Sequence, residues 1–136
     1  MFRKIVCFLF LTALVFQGGC GTGKYADIKI VIRDMIDARE RFVAEAEQAE
    51  SADEAALSIT TLENDMKKLK PRYKELETKY PELLHPEDLP IELKELVVAL
   101  NRASESRDEA LTDILMRYPD DPGVQKAVSS MGDVYK

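Results

Sequence analysis

Residues 59–83 read ITTLENDMKKLKPRYKELETKYPEL. Ile59, Leu62, Met66, Leu69, Tyr73, Leu76, Tyr80 and Leu83 fall at alternating steps of three and four. That is the period of an α-helix whose seam packs against other helices. Pro71 lies inside the run, where it removes a backbone N–H and one helical hydrogen bond. The phase is unbroken across it, and position 71 falls on the solvent side. The spacing therefore predicts one helix, kinked at Lys67 to Pro71, with two separate helices as the alternative.

Upstream, Tyr25 to Glu50 reads as a long helix without Gly or Pro. Ile28, Met35, Phe42 and Ala49 recur every seven residues, and Val31 or Ile32, Ala38 and Ala46 fill the apolar stripe between them. Ser51-Ala52-Asp53-Glu54 fits a capping box, in which the Ser hydroxyl accepts from the backbone N–H three residues on and the Glu reaches back. A connection this short favours an antiparallel hairpin.

Downstream, Tyr80-Pro81 ends the seam helix, and Pro81, Pro86 and Pro90 stiffen the loop to Leu89. Pro90 suits the first turn of a third helix, where its missing N–H costs nothing. Leu93, Leu96, Val97, Leu100 and Ala103 form its apolar face. The face fades through residues 101–109 and resumes at Ala110, Leu111, Ile114, Leu115 and Tyr118. This is one helix with a polar waist; a new helix capped by Ser106 with Glu109 is the alternative. Asp121-Pro122 opens a short last helix carrying Val124, Ala127, Val128, Met131 and Val134. The expected fold is all-α: over residues 25–136, an antiparallel helical bundle of three long helices plus a short C-terminal helix.

Two helix ends look alike, Lys79-Tyr80-Pro81-Glu82 and Arg117-Tyr118-Pro119-Asp120. We read them as shared stop chemistry, with a Tyr packing the last turn and a Pro ending it. The other reading is a weak helical-hairpin repeat, but the tetratricopeptide signature is absent and the spacing is not its 34 residues.

The first 19 residues are different in kind. They hold four of the five Phe, Arg3 and Lys4, and no acid. The apolar run Ile5 to Phe16 is shorter than the ~20 residues a membrane-spanning helix needs. A basic start, a short apolar stretch and small residues at its end describe a secretory signal peptide. Gly18-Gly19-Cys20 closes it, with Gln17 where an aliphatic is usual. This resembles the signal peptide of bacterial lipoproteins. The resemblance implies cleavage after Gly19, a diacylglyceryl group on the Cys20 sulfur, and residues 20–24 as a lipidated N-terminus and short tether. Cys20 would be the only thiol left in the exported chain, and lipid attachment accounts for it. Gly21 after that Cys leans, by the same resemblance, to the outer membrane facing the periplasm over the inner one.

The chain has 136 residues, 19 Lys+Arg against 25 Asp+Glu, two Cys, one His and no Trp. That is one small domain. Without the first 19 residues, the formal charge moves from −6 to −8. An acidic balance argues against non-specific nucleic-acid binding, which needs a basic surface to release counterions.

Charge is unevenly distributed. Phe42 to Met66 holds seven acids and no Lys or Arg; the next 13 residues hold six bases and two acids. Folded as a hairpin, this gives an acidic tip of Glu45, Glu47, Glu50, Asp53 and Glu54, a candidate partner-facing surface. Lys67, Lys68, Lys70 and Lys74 return towards the tethered end, joined there by Lys24, Lys29 and Arg33, as a candidate membrane-facing basic patch. Basic side chains near an anionic lipid surface contribute roughly 1 kcal/mol each. The bland reading is a pair of solvated faces with ordinary i,i+4 pairs, Glu63–Lys67 and Glu75–Lys79.

Catalysis needs convergent groups. The single His85 sits in a Pro-flanked loop and reads as a surface side chain. There is no G-x-S-x-G, no Gly-rich phosphate loop and no EF-hand pattern. No catalytic, metal or cofactor residues are assigned, and no cofactor is expected. Met35, Met66 and Met131 read as core filling. The expected function is a non-enzymatic, lipid-anchored envelope adaptor or scaffold for a protein partner. The alternative is a small-ligand or cation carrier, and self-association through Ile59 to Leu83 is a third reading.

Overall fold

A computed structural model describes residues 23–132. Its helices are α1 (Ala26–Gln48), α2 (Ala52–Lys79), α3 (Ile91–Arg117) and α4 (Pro122–Gly132), with two 3₁₀ turns, Pro81–Leu84 and Pro86–Asp88, between α2 and α3. The all-α expectation of three long helices and a short last one holds. Cys20 and the signal segment before it, like Val134 of the expected last helix, lie outside the described residues.

α1 is the central helix. It packs against α2 on one side and α3 on the other, and α4 packs against α2. α2 returns antiparallel to α1 and brings Tyr80 back to Lys24. α3 then runs alongside α1 in the same direction. Its first turn meets α1 through Glu92 and Lys29 (2.6 Å). In its last turn, Arg117 donates to the carbonyls of Ala46 (2.8 Å) and Ala49 (3.0 Å). α4 follows the first half of α2, from Gly123 beside Ala56 to Ser130 beside Glu63. The bundle therefore has three helices at the base, where the chain enters, and four at the far end.

Two cores correspond to these two levels. The base core joins Ile28, Val31 and Ile32 of α1 to Leu76, Tyr80 and Leu93. The far core joins Phe42 and Ala46 of α1 to Ile59, Leu62 and Met66 of α2, Ile114 of α3, and Val124, Ala127 and Met131 of α4. The predicted seam lies inside both: Ile59, Leu62, Met66, Leu69, Leu76 and Tyr80 are buried, and Tyr73 and Leu83 are half-buried. Each large apolar side chain so buried contributes ~1.5–3 kcal/mol. Met35, expected on the α1 stripe, is half-buried and touches both cores.

Local details follow from cap chemistry. Ser51 Oγ accepts from the Glu54 N–H at 3.3 Å, as the capping box requires. The return bond lands one residue early: Glu54 Oε2 accepts from the Glu50 N–H at 2.8 Å. Asp121 caps α4 by accepting from the Val124 N–H at 2.9 Å, with Pro122 as first residue. Pro90 is the N-cap of α3 rather than a first-turn residue, and its carbonyl accepts from Leu93 and Lys94. α2 is one helix through the exposed Pro71, so the two-helix alternative is not realised. α3 is likewise continuous through Ser106.

The two similar helix ends use the same chemistry. Tyr80 and Tyr118 are both C-caps, and each donates its N–H to the carbonyl four residues back, Leu76 at 2.8 Å and Ile114 at 2.9 Å. The preceding cation lies over each ring, Lys79 Nζ at 4.9 Å and Arg117 Cζ at 5.5 Å from the centroid. The following Pro disfavours helical φ/ψ at each Tyr.

Candidate functional site: the two ends of the bundle

At the far end the expected acidic residues divide between two sides of α1. Glu45, Glu50 and Glu54 line an open groove of about 370 Å³ on the α2 side, with Ala49, Leu57, Ser58 and Thr61. Leu57 is 65% exposed there. Glu47 turns the other way, into an open groove of about 300 Å³ against α3. Asp53 and Glu54 lie in the first turn of α2, where the helix dipole favours acids.

The fold adds acids that the sequence reading did not group with the tip. Glu109 and Asp113 share the α3-side groove with Glu47. Asp120 is exposed in the α3–α4 turn close by. The spacing of Glu109 and Asp113 puts them on one face of a helix. Only the parallel register of α3 on α1 sets that face beside Glu47. Two basic side chains flank this corner, Arg107, which pairs with Asp108 at 2.6 Å, and Arg117. The second of these, Arg117, makes the contacts that matter for packing. Arg117 is engaged inward, with the carbonyls of Ala46 and the C-cap Ala49, and along its own helix with Asp113 at 2.9 Å.

The base end is more mixed than the hairpin alone suggested. Lys67, Lys68, Lys70 and Lys74 are all exposed. Lys67 pairs with Glu63 as expected, and Lys68 lies 3.5 Å from Asp65. Lys79 passes over the expected Glu75 and pairs with Asp27 of α1 at 2.5 Å. Arg72 crosses to Asp34 at 3.2 Å, while Arg41 reaches Asp65 at 3.0 Å. Lys24 and Lys29 meet Glu82 and Glu92. The loop after α2 and the first turn of α3 thus bring Glu82, Glu87, Asp88 and Glu92 to the same end as Lys24, Lys29 and Lys79. Within the basic stretch, Arg72 and Lys79 stitch α2 to α1.

A clasp of tyrosines and charges sits at this base. Tyr25 and Tyr80 are buried, with ring centroids 5.2 Å apart. Tyr25 Oη donates to Glu82 Oε1 (2.6 Å), which also accepts from Lys24 (2.9 Å). Tyr80 Oη reaches both the Lys24 carbonyl (2.6 Å) and Asp27 Oδ1 (2.9 Å). The Tyr25 hydroxyl, above all, pulls the Glu82 carboxyl down to about 2, with help from Lys24. Lys79 holds Asp27 below the usual carboxylate range, with help from Tyr80. The same contacts raise both lysines, Lys24 chiefly through Tyr25 and Lys79 chiefly through Asp27.

Two charged side chains are buried midway. Glu63 accepts from Lys67 and from Ser130 Oγ (3.0 Å), which ties α4 to α2 and lowers its carboxyl, Lys67 contributing most. Arg39 is buried in α1, with Nη1 donating to the Met35 carbonyl at 2.8 Å. Burial raises the Tyr73 hydroxyl. His85 is exposed, 3.7 Å from Glu87.

Among the described residues, no group of three or more His, Cys, Asp and Glu could hold a metal ion. No helix among them is long and apolar enough to cross a membrane. The Ile59–Leu83 seam is spent inside the chain, so self-association would need another face. No protein-family model, no curated protein and no solved structure matches this chain.

Proposed function

We propose that the protein is a non-enzymatic, lipid-anchored scaffold of a bacterial cell envelope, held at Cys20 in the outer membrane on its periplasmic side. Its acidic far end engages the basic side chains of a partner protein. The observation that carries this reading is the gathering of acids from both helical corners at the end opposite chain entry. Glu45, Glu47 and Glu50 come from the first corner, and Glu109, Asp113 and Asp120 from the second. α1 separates the two ends by ~35 Å, at 1.5 Å per residue. Exposed Leu57 gives the α2-side groove an apolar floor for such a segment. Opposed charges steer encounter and suppress wrong partners.

The lysines of α2 fit the membrane-facing role less well, because acids share the base with them. Arg72 and Lys79 of the same stretch hold the hairpin closed through Asp34 and Asp27.

The test is cross-linking of tagged full-length protein in its native cells, followed by membrane purification and mass spectrometry. Three forms run together: unsubstituted, Cys20→Ala, and Glu45→Gln/Glu47→Gln/Glu50→Gln. One envelope protein captured by the first form and lost from both variants supports the reading. Equal capture by the charge variant overturns the tip as the contact. Undiminished membrane retention of Cys20→Ala overturns the anchor.

A further inference from the structure

The point where the chain enters the domain is tied down unusually well. Helix N-termini ordinarily fray, because their first N–H groups lack intrahelical partners and few contacts hold them. Tyr25, the N-cap of α1, gives no side-chain cap bond to its own helix. Its hydroxyl goes instead to Glu82, 57 residues away. Lys24 follows to the same carboxylate, and Asp27 is held by Tyr80 and Lys79. Asp27 also takes the Ile28 backbone N–H at 3.0 Å, so one carboxylate serves α1's orphan donor and α2's last turn. These contacts join Lys24, Tyr25 and the first turn of α1 to the end of α2 or to the Pro81–Leu84 turn, and Lys29 adds a contact to Glu92 of α3 at 2.6 Å. Behind them lie fully buried Ile28 and Ile32.

We propose that this clasp is a lock. The first two turns of α1 open only together with the end of α2 and the turn after it. A pull on the chain before Gly23 is then delivered across the whole base instead of peeling α1 from its end. The inference rests on described residues alone and stands whether or not Cys20 carries lipid.

Hydrogen exchange on the full 136-residue chain, read by mass spectrometry, tests it. In the unsubstituted protein, amides of residues 29–33, the first with helical acceptors, are expected to exchange within about tenfold of those of residues 42–48. Tyr25→Phe/Tyr80→Phe, and separately Glu82→Ala, are expected to speed exchange at 29–33 by about tenfold or more, with 42–48 unmoved. The proposal is overturned if 29–33 already exchange more than about tenfold faster than 42–48 in the unsubstituted protein. It is also overturned if the variants accelerate both segments together, or neither. Should the double tyrosine variant fail to fold, Glu82→Ala decides alone, since Glu82 belongs to neither core.

Discussion

Single residues divide into those that fill the cores and those that finish the helices. Phe42 is 1% exposed at the junction of all four helices. Phe42→Ala is expected to cost ~3–5 kcal/mol, read as a lower urea midpoint. Ser51→Ala and Asp121→Ala each remove one cap bond and are expected to cost ~1 kcal/mol. The carboxylates of Glu82, Asp27 and Glu63 set the acid limb of stability. Each binds its proton less readily in the folded chain than in the unfolded one, so lowering pH draws the protein towards unfolding. For Glu82 this stabilisation is whole above its ordinary value of 4.5 and disappears as pH falls towards about 2. Glu82→Gln is expected to flatten the dependence of the melting temperature on pH across that window. An unchanged slope would show that the Tyr25–Glu82 contact is not maintained in solution.

Elements were legible in the sequence to different depths. The α2 seam was legible whole, because a three-four period survives a proline that lies on the exposed side. Pro71→Ala restores a donor there without touching either core. It is expected to raise stability by ~1–3 kcal/mol with an unchanged denaturant slope. The caps at Ser51 and Asp121 were legible because they are local, and so were the two Tyr-Pro stops. The side-by-side register of α1 and α3 was not. An apolar stripe tells which face a helix buries, but neither its partner nor its offset. That is why Glu109 and Asp113 were not grouped with Glu47. It is also why Lys79 was assigned to Glu75, four residues back on its own helix, rather than to Asp27 across the hairpin.

At the scale of the whole molecule, the bundle has a net-acidic far end and a base whose opposite charges are interleaved. Neutralising Glu45, Glu47 and Glu50 relieves like-charge repulsion and removes no cap bond. The triple Gln variant is therefore expected to melt no lower than the unsubstituted protein while losing its partner, so contact and folding are separable. Removing α4 has the opposite character. A chain ending at Asp120 leaves Ile59, Leu62 and Met66 without the cover of Val124, Ala127 and Met131. It is expected to lose the single cooperative urea transition, measured by circular dichroism.

The place of α4 also orders the making of the protein. The α1–α2 hairpin is complete by residue 79, yet its base core lacks Leu93 and its far core lacks Ile114 and all of α4. Read from the N-terminus, a growing chain gains its base first. It cannot close the top until Met131 has been made. Until then the far half of the hairpin leaves Phe42 open to whatever receives nascent polypeptide.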